Sequence, residues 1–179
     1  MTQIANVYAQ ALYTLAKDEG AENTVLEQLK ALDESFSQEP QFLRLMAAPN
    51  LSKEERCEIL DKSFRDKVHP YTLNFMKLLT RKGYMRYFGD CCKAYRELYY
   101  EDNGILEVST VTAVALTQEQ SAKLKDKLAA ITGKTIQLNS RTDPSCLGGV
   151  RLDFDGKRLD GTVKNRLDSI AALLKNTVL

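Results

Sequence analysis

The side chains that could do chemistry are few and poorly placed for it. His69 is the chain's one histidine, so any imidazole acid, base or metal site has to include it. It stands directly before Pro70 at an expected helix start, which suits a loop or capping role. Thr132-Gly133-Lys134-Thr135 matches the tail of a phosphate-binding loop, in which backbone amides and a lysine cradle phosphate oxygens. The first glycine of that motif would fall at Leu128, and the order is helix then strand, the reverse of what aims a helix N-terminus at an anion. Nucleotide binding is therefore not expected. Leu147-Gly148-Gly149-Val150 has no third glycine opening a helix, as a dinucleotide fingerprint requires. Glycines that let two backbones approach closely at a strand start are the better reading.

Cys57, Cys91, Cys92 and Cys146 fall at no zinc or disulfide-framework spacing, and an adjacent pair does not readily close on itself. Reduced thiols in a reducing compartment are expected. Glu54, Glu55, Glu58 and Asp61 interleave with Lys and Arg along the wet side of an amphipathic helix, so no acid–base pair stands out. Asn50-Leu51-Ser52 is a glycosylation sequon, which matters only in a secreted chain. No enzyme, metal or cofactor is expected.

The 179 residues carry 25 Lys plus Arg against 24 Asp plus Glu, a net charge of +1, so composition does not announce the basic face of most nucleic-acid binders. The balance shifts along the chain. Residues 1–104 hold 14 basic and 16 acidic side chains, whereas 105–179 hold 11 and 8. A 44% hydrophobic content with 9 Gly and 4 Pro excludes disorder and low complexity. The longest nearly apolar run, Val111 to Leu116, is far short of the roughly 18 residues that span a bilayer. Met1-Thr2-Gln3-Ile4 has neither the basic region nor the apolar stretch of a signal peptide, and a bacterial-type cytoplasm is expected.

Apolar spacing predicts about six helices before residue 104 and no strand. Helices are expected over Ile4–Ala16, from Asn23 or Thr24, over Gln41–Ala47, from a Ser52 capping box to Phe64, over Tyr71–Arg81 with Gly83 as stop, and over Met85–Glu101 with Gly104 as stop. The period then drops to two, with Leu106, Val108, Thr110, Thr112 and Val114 alternating, which marks a domain boundary. A second capping box at Thr117 opens a helix with Leu124, Leu128 and Ile131 on one face, ended by Gly133. Strands over Thr135–Ser140, Val150–Phe154 and Lys157–Asp160 follow, the last two joined by an Asp155-Gly156 turn, and a final helix is expected from about Thr162 to Thr177.

Two of these helices are more apolar than one buried face requires. Ile4–Ala16 has ten apolar residues in thirteen, and its polar exceptions Asn6, Gln10 and Thr14 form one narrow stripe. Tyr71–Leu79 has six in nine, whereas Lys53–Phe64 has four in twelve. A helix apolar around most of its girth is either central in its bundle or awaits a partner. If the two are neighbours, their surplus faces form a groove for an amphipathic helix.

These residues carry a family resemblance over the whole length. The chain resembles the delta subunit of the bacterial F-type ATP synthase, the delta/OSCP family. The most specific part is Leu147-Gly148-Gly149-Val150 followed by Asp160-Gly161-Thr162-Val163 and Arg166-Leu167, similar to the family's Gly-containing strand, Asp-Gly-Ser and Arg-Leu helix. Thr162 stands where Ser is usual and keeps the capping hydroxyl. Val7-Tyr8-Ala9-Gln10-Ala11-Leu12 resembles the family's opening motif, and Asn74-Phe75-Met76-Lys77-Leu78-Leu79 with Arg81-Lys82-Gly83 its fifth helix.

The resemblance implies an α+β two-domain protein: a six-helix bundle over 1–104 that binds the catalytic head, then a smaller α/β domain over 105–179, with a few strands and two helices, that contacts the b-subunit stalk. It implies a non-catalytic peripheral-stalk subunit that links the α subunits to the b subunits and resists rotor torque, coupling proton translocation to ATP synthesis. Tyr8, Leu12 and Leu15 would line one wall of a groove for the α-subunit N-terminal helix, and Leu73, Met76 and Leu79 the other. Tyr8→Asp or Leu12→Asp should then detach the subunit without unfolding it. Gly148, Gly149, Asp160, Gly161, Arg166 and Leu167 would form the structural motif of the second domain. The partners implied are the α-subunit N-terminal helix and the C-terminal helices of b. One copy per complex is implied, peripheral on the cytoplasmic face of the bacterial plasma membrane and reaching it only through the complex, with no nucleic acid. Two alternatives stand beside this: a free-standing helical adaptor or regulatory protein unrelated to proton transport, and an RNA-binding module using Lys157, Arg158, Lys164 and Arg166. Phe154 is the one aromatic after Tyr100, which leaves the RNA reading without stacking platforms.

Overall fold

The computed structural model describes residues 3–47, 51–154 and 156–167. The chain is α+β and divides into two compact units, residues 1–99 and 100–179.

In the first unit, α1 (Gln3–Asp18), α2 (Glu22–Gln38), α3 (Pro40–Ala47), α4 (Lys53–Phe64), α5 (Pro70–Lys82), a 3-10 turn (Met85–Tyr87) and α6 (Phe88–Asp102) follow in order. Local chemistry sets several boundaries. The Ser52 hydroxyl accepts from the Glu55 amide at 3.1 Å while the Glu55 carboxylate accepts from the Ser52 amide at 2.8 Å, and this capping box opens α4. Pro70 occupies the first turn of α5, where its missing N–H costs nothing, and His69 caps it by accepting from the Tyr71 amide at 3.3 Å. Gly83, at φ +73°, ends α5 in the left-handed conformation. The start of α2 departs from expectation. It begins at Glu22 without a side-chain cap, and the Asn23 side chain accepts instead from the Tyr99 hydroxyl at 3.3 Å.

Aromatic contacts link these helices to one another. Phe36 of α2 stacks on Phe42 of α3 at 4.8 Å and meets Phe64 of α4 and Phe88 of α6 edge-on. Phe75 of α5 lies 6.5 Å from Phe88, and Tyr13 of α1 meets Tyr95 of α6 at 5.4 Å.

In the second unit, β1 (Ile105–Thr112), α7 (Gln118–Thr132), β2 (Thr135–Thr142), a 3-10 turn (Pro144–Cys146), β3 (Val150–Phe154) and β4 (Lys157–Asp160) follow, and residues 163–167 are helical. The sheet order is β2-β1-β3-β4, with β1 parallel to β2 and antiparallel to β3, and β3 antiparallel to β4. Leu106, Val108, Ile136 and Leu152 meet Leu128 of α7 in the core, with Leu124 packed against it. Two residues that keep the expected periods lie outside this core. The strand stops at Thr112, whose hydroxyl donates to the Val114 carbonyl, leaving Val114 76% exposed, and Ile131, at the end of α7, is 82% exposed. Asn50 of the sequon, Asp155 of the turn and the final helix beyond residue 167 lie outside the described residues.

Candidate functional site

Four buried cysteines, one capping histidine and dispersed carboxylates make no reactive constellation, and no group of metal-binding side chains gathers among the described residues. Burial, with Asp90 adding to it, pushes the Cys91 thiol up to about 11, and burial likewise raises Cys92, so both stay protonated and poorly nucleophilic. Thr132 to Thr135 is a helix stop running into β2, with Gly133 at φ +67° as the C-cap, and presents no helix N-terminus to a phosphate.

What the first unit offers is a surface. Two contacts fix how α1 and α5 lie. Tyr8, near the start of α1, meets Tyr84, just past the end of α5, at 5.9 Å. At the other end the Tyr71 hydroxyl of α5 bonds Glu19, just past α1; desolvation, then Glu19 and Asp18, hold its phenol above the ordinary value. The helices are therefore antiparallel neighbours. Along α1, Val7, Ala11 and Leu15 recur at i, i+4 and i+8 and all three are exposed, Val7 by 62% and Leu15 by 53%. On α5, Leu78 is 42% exposed. Leu78 follows Tyr71, which meets Glu19, at i, i+7 spacing on the same face of α5.

The residues expected to line this surface divide. Tyr8 is half-buried and Leu15 exposed, so both are accessible. Leu12, Leu73, Met76 and Leu79 are buried within the unit itself, none more than 6% exposed. The sequence pattern that marks α1 and α5 as over-apolar does not say which apolar residues face outward. For α1 the missed signal lay in the polar stripe Asn6-Gln10-Thr14: Val7, Ala11 and Leu15 each follow one of its members directly and share its exposed side.

The second unit has its own built feature. Gly149 sits at φ +80°, and a Cβ there would lie 2.4 Å from the Gly161 carbonyl oxygen and 3.0 Å from Thr162 Cα. Only glycine allows the approach. It is held by the Gly161 amide donating to Val150 O and the Val163 amide donating to Gly148 O, both at 3.0 Å. The Asp160 carboxylate accepts from the Thr162 amide at 3.0 Å and from its hydroxyl at 2.7 Å, and these bonds lower its pKa. The Thr162 hydroxyl in turn accepts from the Asn165 amide at 3.2 Å, so Asp160, Gly161 and Thr162 turn the chain from β4 into the last described helix. That turn also gathers exposed apolar side chains: Val163 packs beside Gly148, Leu147 precedes it, and Leu167 follows Val163 by one turn, with exposures of 43%, 66% and 52%. Arg166 is exposed beside Leu167.

The family model of the ATP synthase delta (OSCP) subunit matches residues 4–174. ATP synthase subunit delta of Alkaliphilus oremlandii is 31% identical over 98% of this chain and 98% of its own length. That of Lacticaseibacillus casei is 34% identical over 96% of this chain and 94% of its own. Among solved structures, a chain of the Toxoplasma gondii mitochondrial ATP synthase hexamer superposes with a TM-score of 0.76 over 97% of this chain and 98% of that one, at 20% identity, which speaks to the fold alone.

Proposed function

The chain belongs to the ATP synthase delta (OSCP) subunit family, and from that premise we propose that it works as a strut with a docking surface at each end. It is a non-catalytic subunit of the F-type ATP synthase. No described helix is long and apolar enough to cross a membrane. In this reading its hold on the membrane sector runs through the complex. The free-standing adaptor and the RNA-binding module are not favoured by a family match of this extent.

In this reading residues 1–104 form a six-helix bundle that receives the N-terminal helix of an α subunit along the α1–α5 seam, and the α/β domain over 105–179 meets the C-terminal helices of b. One observation carries it: α1 exposes an apolar stripe, Val7, Ala11 and Leu15, and its antiparallel neighbour α5 exposes Leu78. Such a pair of rails suits the apolar face of an amphipathic helix. Tyr8 and Leu15 from the expected set belong to the rim, and Leu12, Leu73, Met76 and Leu79 support the two helices from below. Leu147, Val163 and Leu167 are the apolar side chains best placed for the b-subunit contact.

The mechanism is mechanical. Proton flow turns the rotor, and the catalytic head would turn with it unless a tie to the membrane sector resisted. Two docking surfaces on one chain make that tie effective, because once one is bound the other binds at high local concentration. A helix-sized contact buries about 1,000 Å² in total, near the lower limit for a stable specific interface. Affinity then depends on a few well-packed anchors. One copy per complex, at the cytoplasmic face of the plasma membrane, completes the proposal. Reconstituting the enzyme with a Leu15→Asp, Leu78→Asp chain tests it. The expected result is loss of the subunit from the head with ATP hydrolysis retained and proton-driven synthesis lost; normal assembly and synthesis would refute it.

A further inference from the structure

The two ends of the α1–α5 seam carry opposite charge. Residues 1–17 and 67–89 contain no carboxylate, while Arg81, Lys82 and Arg86 are all exposed near Tyr84, at the end where it meets Tyr8. Arg86 lies 4.7 Å over the Tyr87 ring, which holds its charge at this end. Lys77, midway along α5, is taken up by Asp61 at 2.5 Å and adds nothing to the seam. At the other end Asp18 and Glu19 close α1 beside Tyr71, with Lys17 as the one cation next to them in sequence. The dipoles of α1 and α5 do not create this polarity, because the two helices are antiparallel and offset each other. From Tyr8 to Glu19 the seam rises about 16 Å at the helical pitch. That is roughly two Debye lengths at physiological salt, so a docked helix meets each end as a separate field.

Resting on the reading that an amphipathic helix docks in this seam, we propose that the seam admits that helix in one direction only, with the occupant's acidic residues over Arg81, Lys82 and Arg86 and its basic residues beside Asp18 and Glu19. The apolar rails supply affinity and are nearly indifferent to direction. The charged rim breaks the tie, since opposing like charges penalise the reversed pose. An exposed charge pair changes an equilibrium by roughly 1.5- to 5-fold, so three cations and two carboxylates acting together favour one pose by roughly eightfold or more.

The probe is a synthetic 18-residue amphipathic peptide with glutamates in one terminal turn, lysines in the other, and a paramagnetic label on the glutamate end, added to the isotopically labelled full chain. Selective broadening of the Tyr8 and Tyr84 amides, with Tyr71 and Glu19 spared, is expected. Reversing the rim with Arg81→Glu, Lys82→Glu and Arg86→Glu together with Asp18→Lys and Glu19→Lys, all at exposed positions, should move the broadening to Tyr71 and Glu19. A peptide with its glutamates at the opposite terminus should keep its labelled acidic end by Tyr8 in the unmodified chain. Binding with both ends broadened equally, or a pattern that the reversed rim does not move, overturns the directional inference and leaves docking intact. No binding of either peptide overturns the docking reading itself.

Discussion

Replacing Gly149 by alanine should remove most of the stability of the second unit. At φ +80° a Cβ costs about 1–2 kcal/mol from backbone sterics alone. The added carbon would also lie 2.4 Å from the Gly161 carbonyl oxygen, a backbone atom that cannot swing away. Relief requires parting the start of β3 from residues 160–163, which breaks the Gly161–Val150 and Val163–Gly148 bonds at about 1 kcal/mol each. The sum is about 3–4 kcal/mol. Gly156→Ala is the matched control, since Gly156 has φ +69° but open space around it, so it should lose only the steric part. Seven of the eight tyrosines precede residue 100, so tyrosine fluorescence follows the first unit during urea unfolding while circular dichroism reports both. Gly149→Ala should shift the second unit's share of the dichroism transition by about 3 M or more, at a slope of about 1 kcal/mol/M, and leave the fluorescence transition in place. If Gly149→Ala shifts it no further than Gly156→Ala, the close approach is not what demands glycine there. Gly149→Asp should uncouple proton flow from synthesis through the same distortion.

Leu12→Asp, at a site 4% exposed, should unfold the first unit, and Leu12→Ala should cost about 2–5 kcal/mol, whereas Leu15→Asp should stay within about 0.5 kcal/mol of the parent; thermal melts separate them. Asp160 is held below the ordinary carboxylate range by the Thr162 hydroxyl and amide. Its folded pKa being the lower, its contribution is complete above the unfolded value of about 3.9 and fades as pH falls through the folded value. Asp160→Asn should therefore flatten the second unit's acid dependence below about pH 4, and an unchanged dependence in urea melts would contradict this. A thiol reagent at pH 8 should find no reactive cysteine in the native chain within minutes and four after denaturation, because all four are buried.

Much of the fold was legible because local chemistry decides it. The capping boxes at Ser52 and Thr117, Pro70 after His69, and the left-handed glycines Gly83 and Gly133 act within a few residues, so sequence spacing finds them. The misses lie where tertiary packing decides. Ile131 keeps the helical period of α7 yet is exposed in its last turn, and Val114 keeps the strand period after the strand has ended. The seam was half legible. Composition shows that α1 and α5 have apolar surface to spare, and within α1 the polar stripe Asn6-Gln10-Thr14 marks the side that Leu15 shares and Leu12 does not, whereas on α5 the outward residue depends on how the neighbouring helices pack.

The central claim is that the exposed α1–α5 stripe, and not the buried leucines beneath it, holds the α subunit. Titrating the full chain calorimetrically with the α-subunit N-terminal peptide tests it most directly. One-to-one binding is predicted, weakened at least tenfold by Leu15→Asp or Leu78→Asp and untouched by Ile131→Asp in the second unit. Equal binding by all four chains, or none by the parent, would contradict the account.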